Sequence, residues 1–443
     1  MRSRELSWTE APFTELMRLA WPITVSTLSY SVMTLVDTLL VGRLGPSALA
    51  GVGLGGTASF VLLCFSFGLL RGSKTLVSQT VGAGRLDEVA PQRAAALSFA
   101  LGVGVITAGL GQLAALALPL MSATAAAGEA ARVYLAIRAL GAPVTLVHTA
   151  LREVRYAQGD ARTPMHASVI ANLVNVALAA LFVYGLHWGV AGAGWATFIA
   201  QGVEAGVLVW AHEGAWGFRA LERRHLRALW KVGLPTALQF ALEVGAFALL
   251  AGMLASLSEL DMAAHQIALQ VVQFSFLPAF AVAEAAAVLA GQAVGARAEE
   301  LVGRVARLAL ATTAVYTGAC SLVMILGAPW LVAGFTTAPA LGALAVRLLH
   351  VAAVFQVFDG ANIVARCTLR GTGDVRFAAV VGVVTSWAFT PPLTWLLGAR
   401  LHLGAYGGWL GLCGEIICGA LILWWRLQRG GWRRAAAALA VSA

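Results

Sequence analysis

The sequence predicts an all-α polytopic membrane protein: twelve transmembrane helices in two pseudo-symmetric six-helix bundles. Three observations carry that prediction. Of the 443 residues, 59% are hydrophobic and only 12% charged, about half the charged share of a soluble domain, and mean hydropathy is +0.80. The apolar residues come in long uncharged blocks such as residues 48–70, near the ~20 residues that cross a bilayer as a helix. Finally, short segments of the first half recur in the second at an almost constant spacing.

Twelve apolar segments begin near Leu19, Ala48, Ala94, Val133, Met165, Val190, Trp230, Ala263, Val305, Ala343, Phe377 and Ala405. They are continuous and rich in Ala, Leu and Gly. A membrane β-barrel would instead alternate apolar and polar residues over ~10-residue stretches. Backbone groups in lipid must be satisfied within the run, so each run is read as a helix. The fourth and tenth segments carry Arg138 and Arg347. Pro22, Pro143, Pro235, Pro278, Pro391 and Pro392 fall inside segments, where each removes a helix hydrogen bond and marks a static kink or a hinge.

The net charge of +9 does not point to nucleic acid, because the basic residues lie in short clusters between apolar runs. With the N-terminus inside, the cytoplasmic segments hold 25 of the 30 Lys and Arg, including Arg2, Arg4, Arg219, Arg366 and Arg370. The outer loops hold Arg43, Arg132 and Arg400. This asymmetry predicts both termini in the cytoplasm. The acidic, interrupted start is unlike a cleavable signal peptide, so the first span is expected to stay in the mature protein. Five cysteines without a CxxC pair give no metal or disulfide framework. No HExxH, GxSxG or GxxxxGK[ST] motif is present, which argues against an enzyme, and no cofactor is expected beyond a coupling ion.

The repeat is legible residue by residue. Trp21-Pro22 matches Leu234-Pro235, and the run from Gln79 to Gly84 matches that from Gln292 to Arg297, each 213 residues on. Gly192-Ala193-Gly194-Trp195 matches Tyr406-Gly407-Gly408-Trp409 at 214. An even number of spans per half makes this a parallel repeat, the arrangement of two-bundle transporters that rock about a shared site. The expected domains are residues 1–211, a cytoplasmic linker at 212–230, and residues 231–443.

Six acidic residues fall inside segments: Asp37, Glu204, Glu243, Glu284, Asp359 and Glu415. A carboxylate in hydrocarbon costs a few kcal/mol unless it faces a cavity or a partner, so each is a candidate for function. Glu243 and Asp359 lie nearest the middle of their spans and Asp37 toward the outer end of the first. Such a carboxylate can hold a proton or, with other oxygens, a small hard cation. An organic cation would then compete for the same charge, which is the physical basis of antiport. Asn172 and Asn175 (i, i+3) and Gln239 and Glu243 (i, i+4) share helix faces. Each pair either lines a cavity or locks helices together. Phe355, one turn before Asp359, either stacks on a cationic ring or simply packs in the core; His265 either anchors a helix end or relays a proton.

In this order, several segments resemble the multidrug and toxic compound extrusion family over nearly the whole chain. They are Val36-Asp37-Thr38 with Val41-Gly42-Arg43-Leu44-Gly45, Leu234-Pro235 with Glu243, the run from Ala263 to Leu269, Gly291-Gln292 with Gly295, and Asp359 followed by the run from Leu369 to Arg376. The resemblance implies two bundles forming a V around a central cavity, and export of cationic, often aromatic compounds driven by inward Na⁺ or H⁺. It implies a coupling-cation site at Glu243 and Asp359 (the metal ligands if the ion is Na⁺) and a coupling role for Asp37. It resembles the sodium-type or DinF-like bacterial branch. Two positions depart from the family. Ala179 stands where a proton-site aspartate often follows the two asparagines, and Phe355 where the sodium-type branch tends to offer a tyrosine.

The expectation is a monomeric multi-pass protein of the cell inner membrane that exchanges small organic cations for Na⁺ or H⁺. The second-half site and Na⁺ are favoured. Asn172, Asn175, Gln239, Phe355 and His265 are the expected cavity residues. The alternative is a flippase-type exporter of an amphiphilic metabolite, which would want a cationic cavity.

Overall fold

The computed structural model describes residues 6–122, 124–214 and 216–442, apart from the side chains of Arg219, Ala440, Val441 and Ser442. Among these residues there are fourteen α-helices and no strand. The first half contains α1 (Pro12–Gly42), α2 (Pro46–Ala83), α3 (Val89–Ala117), α4 (Ala125–Leu140), α5 (Ala142–Ala157), α6 (Arg162–Ala180) and α7 (Gly189–Trp210). The second contains α8 (Arg223–Leu257), α9 (Glu259–Gly295), α10 (Glu299–Ala333), α11 (Pro339–Thr372), α12 (Val375–Leu393), α13 (Gly404–Gln428) and a short tail helix α14 (Arg433–Ser442).

Ten helices are long and apolar enough to cross a membrane, and α4 with α5 forms an eleventh span bent by 49°. The bend falls at Gly141, where α5 restarts with Pro143 in its first turn, a position that tolerates a missing N–H. The remaining span is α7. Its 22 residues are long enough for a bilayer, and Gln201 and Glu204 dilute its apolarity. In the repeat α7 corresponds to α13. The predicted twelve-helix architecture therefore holds.

Local signals start and stop the helices. Pro46 opens α2 after Gly45 (φ 113°), and Gly84 closes it in the left-handed region (φ 75°). Ser258 caps α9, its Oγ accepting from Asp261 N at 3.0 Å. The helices overrun the predicted spans: α2 has 38 residues and α9 has 37, against ~20 for a bilayer. Several basic residues expected in cytoplasmic loops therefore lie on helices, among them Lys74, Arg152, Arg366 and Arg370. Arg2 and Arg4 lie outside the described residues. The expected linker is also shorter, since α8 already begins at Arg223.

The backbone repeats as strictly as the sequence. Left-handed residues pair as Gly84 with Arg297, Gly159 with Gly373, His187 with His402 and Gly189 with Gly404, at spacings of 213 to 215. A π-helical turn follows α6 at Leu181–Gly185 and α12 at Thr394–Arg400. Non-glycine residues rarely adopt positive φ. Arg297 (φ 58°) adopts in the second half the left-handed backbone that Gly84 adopts in the first.

The chain forms two compact units that do not divide at the linker. One is Val25–Ala237; the other combines the segment ending at Thr24 with Leu238–Ser442. The handovers lie inside α1 and α8, two residues after Pro22 and Pro235. Trp8 Nε1 donates to Gln292 Oε1 at 2.9 Å, tying the N-terminal segment to α9. In the other unit, the backbone of Gly233 and Ala237 packs directly on Gly72 and Gly68 of α2. A Cβ at either α2 glycine would meet that backbone.

Candidate functional site

In the first-half unit, Asp37 on α1 is 5% exposed. Thr197 Oγ1 of α7 lies 2.9 Å from Asp37 Oδ2. Asn175 Nδ2 of α6 donates to Thr197 Oγ1 at 3.3 Å. Asp37 Oδ1 and Asn175 Oδ1 are buried and have no hydrogen-bond partner among the described residues. Arg138 on α4 contributes its field but no ion pair among the described residues. Ala179 is fully buried one turn beyond Asn175, so no second acid joins the cluster. Asn172 is engaged separately, donating to Ser29 Oγ at 2.7 Å and to the Ser29 carbonyl. It braces α6 against α1. Tyr184 in the π-turn donates to the Leu40 carbonyl at 2.6 Å, fixing the outer end of α1 beside Asp37.

A second buried group lies in the same unit. Ser168 Oγ donates to Glu204 Oε1 at 2.7 Å, and His148 Nδ1 is 3.7 Å from Glu204 Oε2. Lys74 Nζ lies 2.9 Å from Glu153 Oε2, with both side chains under a tenth exposed. At the turn before α6, Asp160 accepts from Thr163 N at 3.0 Å and from Arg155 Nη1 at 2.8 Å. Burial alone would raise its pKa, but these partners outweigh it and hold the carboxyl below its ordinary value.

In the second-half unit, a polar stripe on α11 faces one on α8. Asp359, Asn362, Arg366 and Arg370 recur at spacings of three and four, one face of a helix. Arg366 Nη1 donates to both carboxylate oxygens of Glu243, at 2.9 and 3.0 Å. Gln239 Nε2 donates to Glu243 Oε1 at 2.9 Å, and Arg370 Nη2 donates to Gln239 Oε1 at 2.9 Å. Gly382 of α12 makes room for this chain, since a Cβ there would overlap Glu243 Oε1 and the Gln239 amide. Asp359 is half-buried and makes no hydrogen bond among the described residues. It and Glu415 lie within the field of Arg366. Glu415 also senses Glu243 and Asp359 and accepts from Thr390 Oγ1. Glu284 is held apart, its Oε1 accepting from Cys367 Sγ at 3.5 Å.

The structure places the expected residues as follows. Glu243 and Asp359 lie in one cluster with Glu415. Glu243 already has a guanidinium on both oxygens, and among the described residues no group of three His, Cys, Asp or Glu side chains could hold a metal. Phe355 (2% exposed) and His265 (1%) belong to the apolar core of this unit rather than to an open surface. Trp409 packs between them, its Nε1 donating to His265 Nδ1 at 3.1 Å. Gln239, fully buried, is bonded at both ends of its amide. Sequence reasoning missed Arg366, Thr197 and Gly382. The stripe from Asp359 to Arg370 was readable as helical spacing; Thr197 and Gly382 gave no signal of their own.

Two six-helix repeats that carry buried acids within their spans define a polytopic membrane transporter. The family model MatE matches residues 22–181 and 235–396, two stretches that follow the repeat, and the chain belongs to the multidrug and toxic compound extrusion (MatE) family. It is 32% identical over 427 residues to a probable multidrug resistance protein NorM of Pseudomonas syringae pv. tomato, covering 92% of this chain and 93% of that one. A NorM of Burkholderia pseudomallei is also 32% identical, over 435 residues, with 93% and 92% covered. Among solved structures, a multidrug resistance MATE family transporter in an outward-facing conformation has TM-score 0.88 at 21% identity, covering 96% of this chain and 97% of that one. A Pyrococcus furiosus transporter of the MOP superfamily, described as having a binding pocket of reverse polarity, has TM-score 0.88 at 22% identity, with 97% and 96% covered.

Proposed function

We propose that this protein exports organic cations in exchange for an inward cation, and that the exchanged charge is a proton on Asp37. The observation that carries this reading is the buried carboxylate whose Oδ1 has no partner beside an unpartnered Asn175 Oδ1. Both atoms are acceptors, and neither has a hydrogen-bond partner among the described residues. One proton on Asp37 turns an acceptor into an O–H donor and removes a buried charge at the same time. The acid that Ala179 replaces is not needed for this, because the carrier is a single carboxyl. Na⁺ would need oxygens beyond the four side-chain oxygens of Asp37, Asn175 and Thr197, whereas a proton needs only the one carboxyl.

The second-half cluster of Glu243, Asp359 and Glu415 supplies the counter-charge for an organic cation. The NorM relatives are named for multidrug resistance, which supports drug-like compounds as substrates. The loop charges support a multi-pass protein of the bacterial cytoplasmic membrane with both termini inside. A second reading, export of an amphiphile with an anionic head, draws on Arg366 and Arg370 and on the reverse-polarity relative. Against it, both guanidiniums are already bonded to Glu243 and Gln239.

The test is efflux of a cationic dye from proteoliposomes driven separately by a pH gradient and a Na⁺ gradient. A pH gradient alone is expected to drive it, and Asp37→Asn to slow it about tenfold or more. Wild-type efflux indifferent to both gradients rejects coupling; full pH-driven efflux in Asp37→Asn rejects Asp37 as the carrier.

A further inference from the structure

Arg366 lies inside α11, six residues before its C-terminal Thr372, or ~9 Å along the axis. Its side chain is 14% exposed and that of Glu243 is 19% exposed. The arginine is not a solvated loop charge that happens to fold back. Its Nη1 bridges both oxygens of Glu243, Gln239 Nε2 also donates to Oε1, and the absence of a Cβ at Gly382 leaves the space this arrangement fills. A guanidinium stays charged throughout the accessible pH range. It is a cation that cannot leave.

We propose that Arg366 is a tethered cation that occupies the carboxylate of Glu243 where a coupling metal ion would otherwise bind. This rests on the antiport reading and deepens it. Glu243 does not exchange Na⁺ with the solution. An arriving organic cation must draw Glu243 away from Arg366, and the freed guanidinium turns to Asp359 and Glu415, whose charges already lie in its field. The total charge of the cluster then changes only by that of the substrate, and the coupling ion is carried elsewhere in the chain. Arg366 is thus a specificity-determining residue: it sets which cations can compete for the acid, favouring those that offer hydrogen-bond donors or large charge-diffuse faces over a bare metal ion.

The experiment measures binding of radioactive Na⁺ to the purified full-length protein in a choline background. Wild type and Glu243→Gln are expected to bind equally. Arg366→Ser is expected to gain a site at least about tenfold tighter than any in wild type, which Arg366→Ser/Glu243→Gln loses again. Arg366→Lys keeps a tethered charge and is expected to behave as wild type. Wild-type binding that falls in Glu243→Gln overturns the proposal without any Arg366 variant. So does Arg366→Ser binding no tighter than wild type in protein that still elutes as a single species. Dye efflux run in parallel separates the two readings. Its absence under every gradient rejects antiport, while the Na⁺ titration still decides the role of Arg366.

Discussion

The two halves share one backbone and treat their buried acids in opposite ways. Asp37 is surrounded by a hydroxyl and an amide and keeps an oxygen without a partner. Glu243 has a guanidinium across both oxygens and an amide behind it. Neutral dipoles stabilise a carboxylate without cancelling its charge, so the first site keeps the capacity to take up an ion. An ion pair cancels the charge within the protein, so the second site can respond only to something that displaces the arginine. The repeat supplies two equivalent frames, and on the proposed reading their side chains divide the work.

That contrast predicts unequal stability effects. Arg366→Gln leaves Glu243 with one amide and is expected to cost about 3 kcal/mol, a value for breaking a largely buried pair. Asp37→Asn removes a charge that has no paired cation and is expected to stay within about 1 kcal/mol of wild type. Reversible denaturation in mixed detergent measures both. Equal costs would mean that Asp37 is paired after all. The smallest effect concerns the shared frame. Gly84→Ala puts a Cβ into the left-handed region and is expected to lose about 1 kcal/mol. Arg297→Gly relieves the same strain at the equivalent position and is expected to gain less than about 1 kcal/mol. Effects of the same sign at both positions would break the equivalence of the two frames.

Much of the fold was legible because hydrocarbon imposes a simple rule. Long uncharged runs must be helices, and the recurring x-Pro, Gln-x-x-Gly and x-Gly-Trp segments set the two halves in register. What stayed hidden depended on where helices end. Lys74, Arg366 and Arg370 read as loop residues because they follow apolar runs, but α2 and α11 continue past them. The site was legible in its acids, since a carboxylate in a span stands out, and illegible in its partners. Thr197 and Gly382 are ordinary residues in apolar helices until packing brings them to Asp37 and Glu243. Phe355 and His265 left two readings open for the complementary reason. An aromatic or imidazole side chain near an acid in sequence is as readily a core residue, and here Trp409 holds both in one packed cluster.

The division of labour rests on Asp37 carrying the exchanged proton. Its most direct test is proton release from the purified protein in a weakly buffered, Na⁺-free solution when a cationic dye is added to saturation. Wild type is predicted to release a proton as the dye binds, and Asp37→Asn to bind the dye while releasing none. Undiminished release from Asp37→Asn would contradict the account.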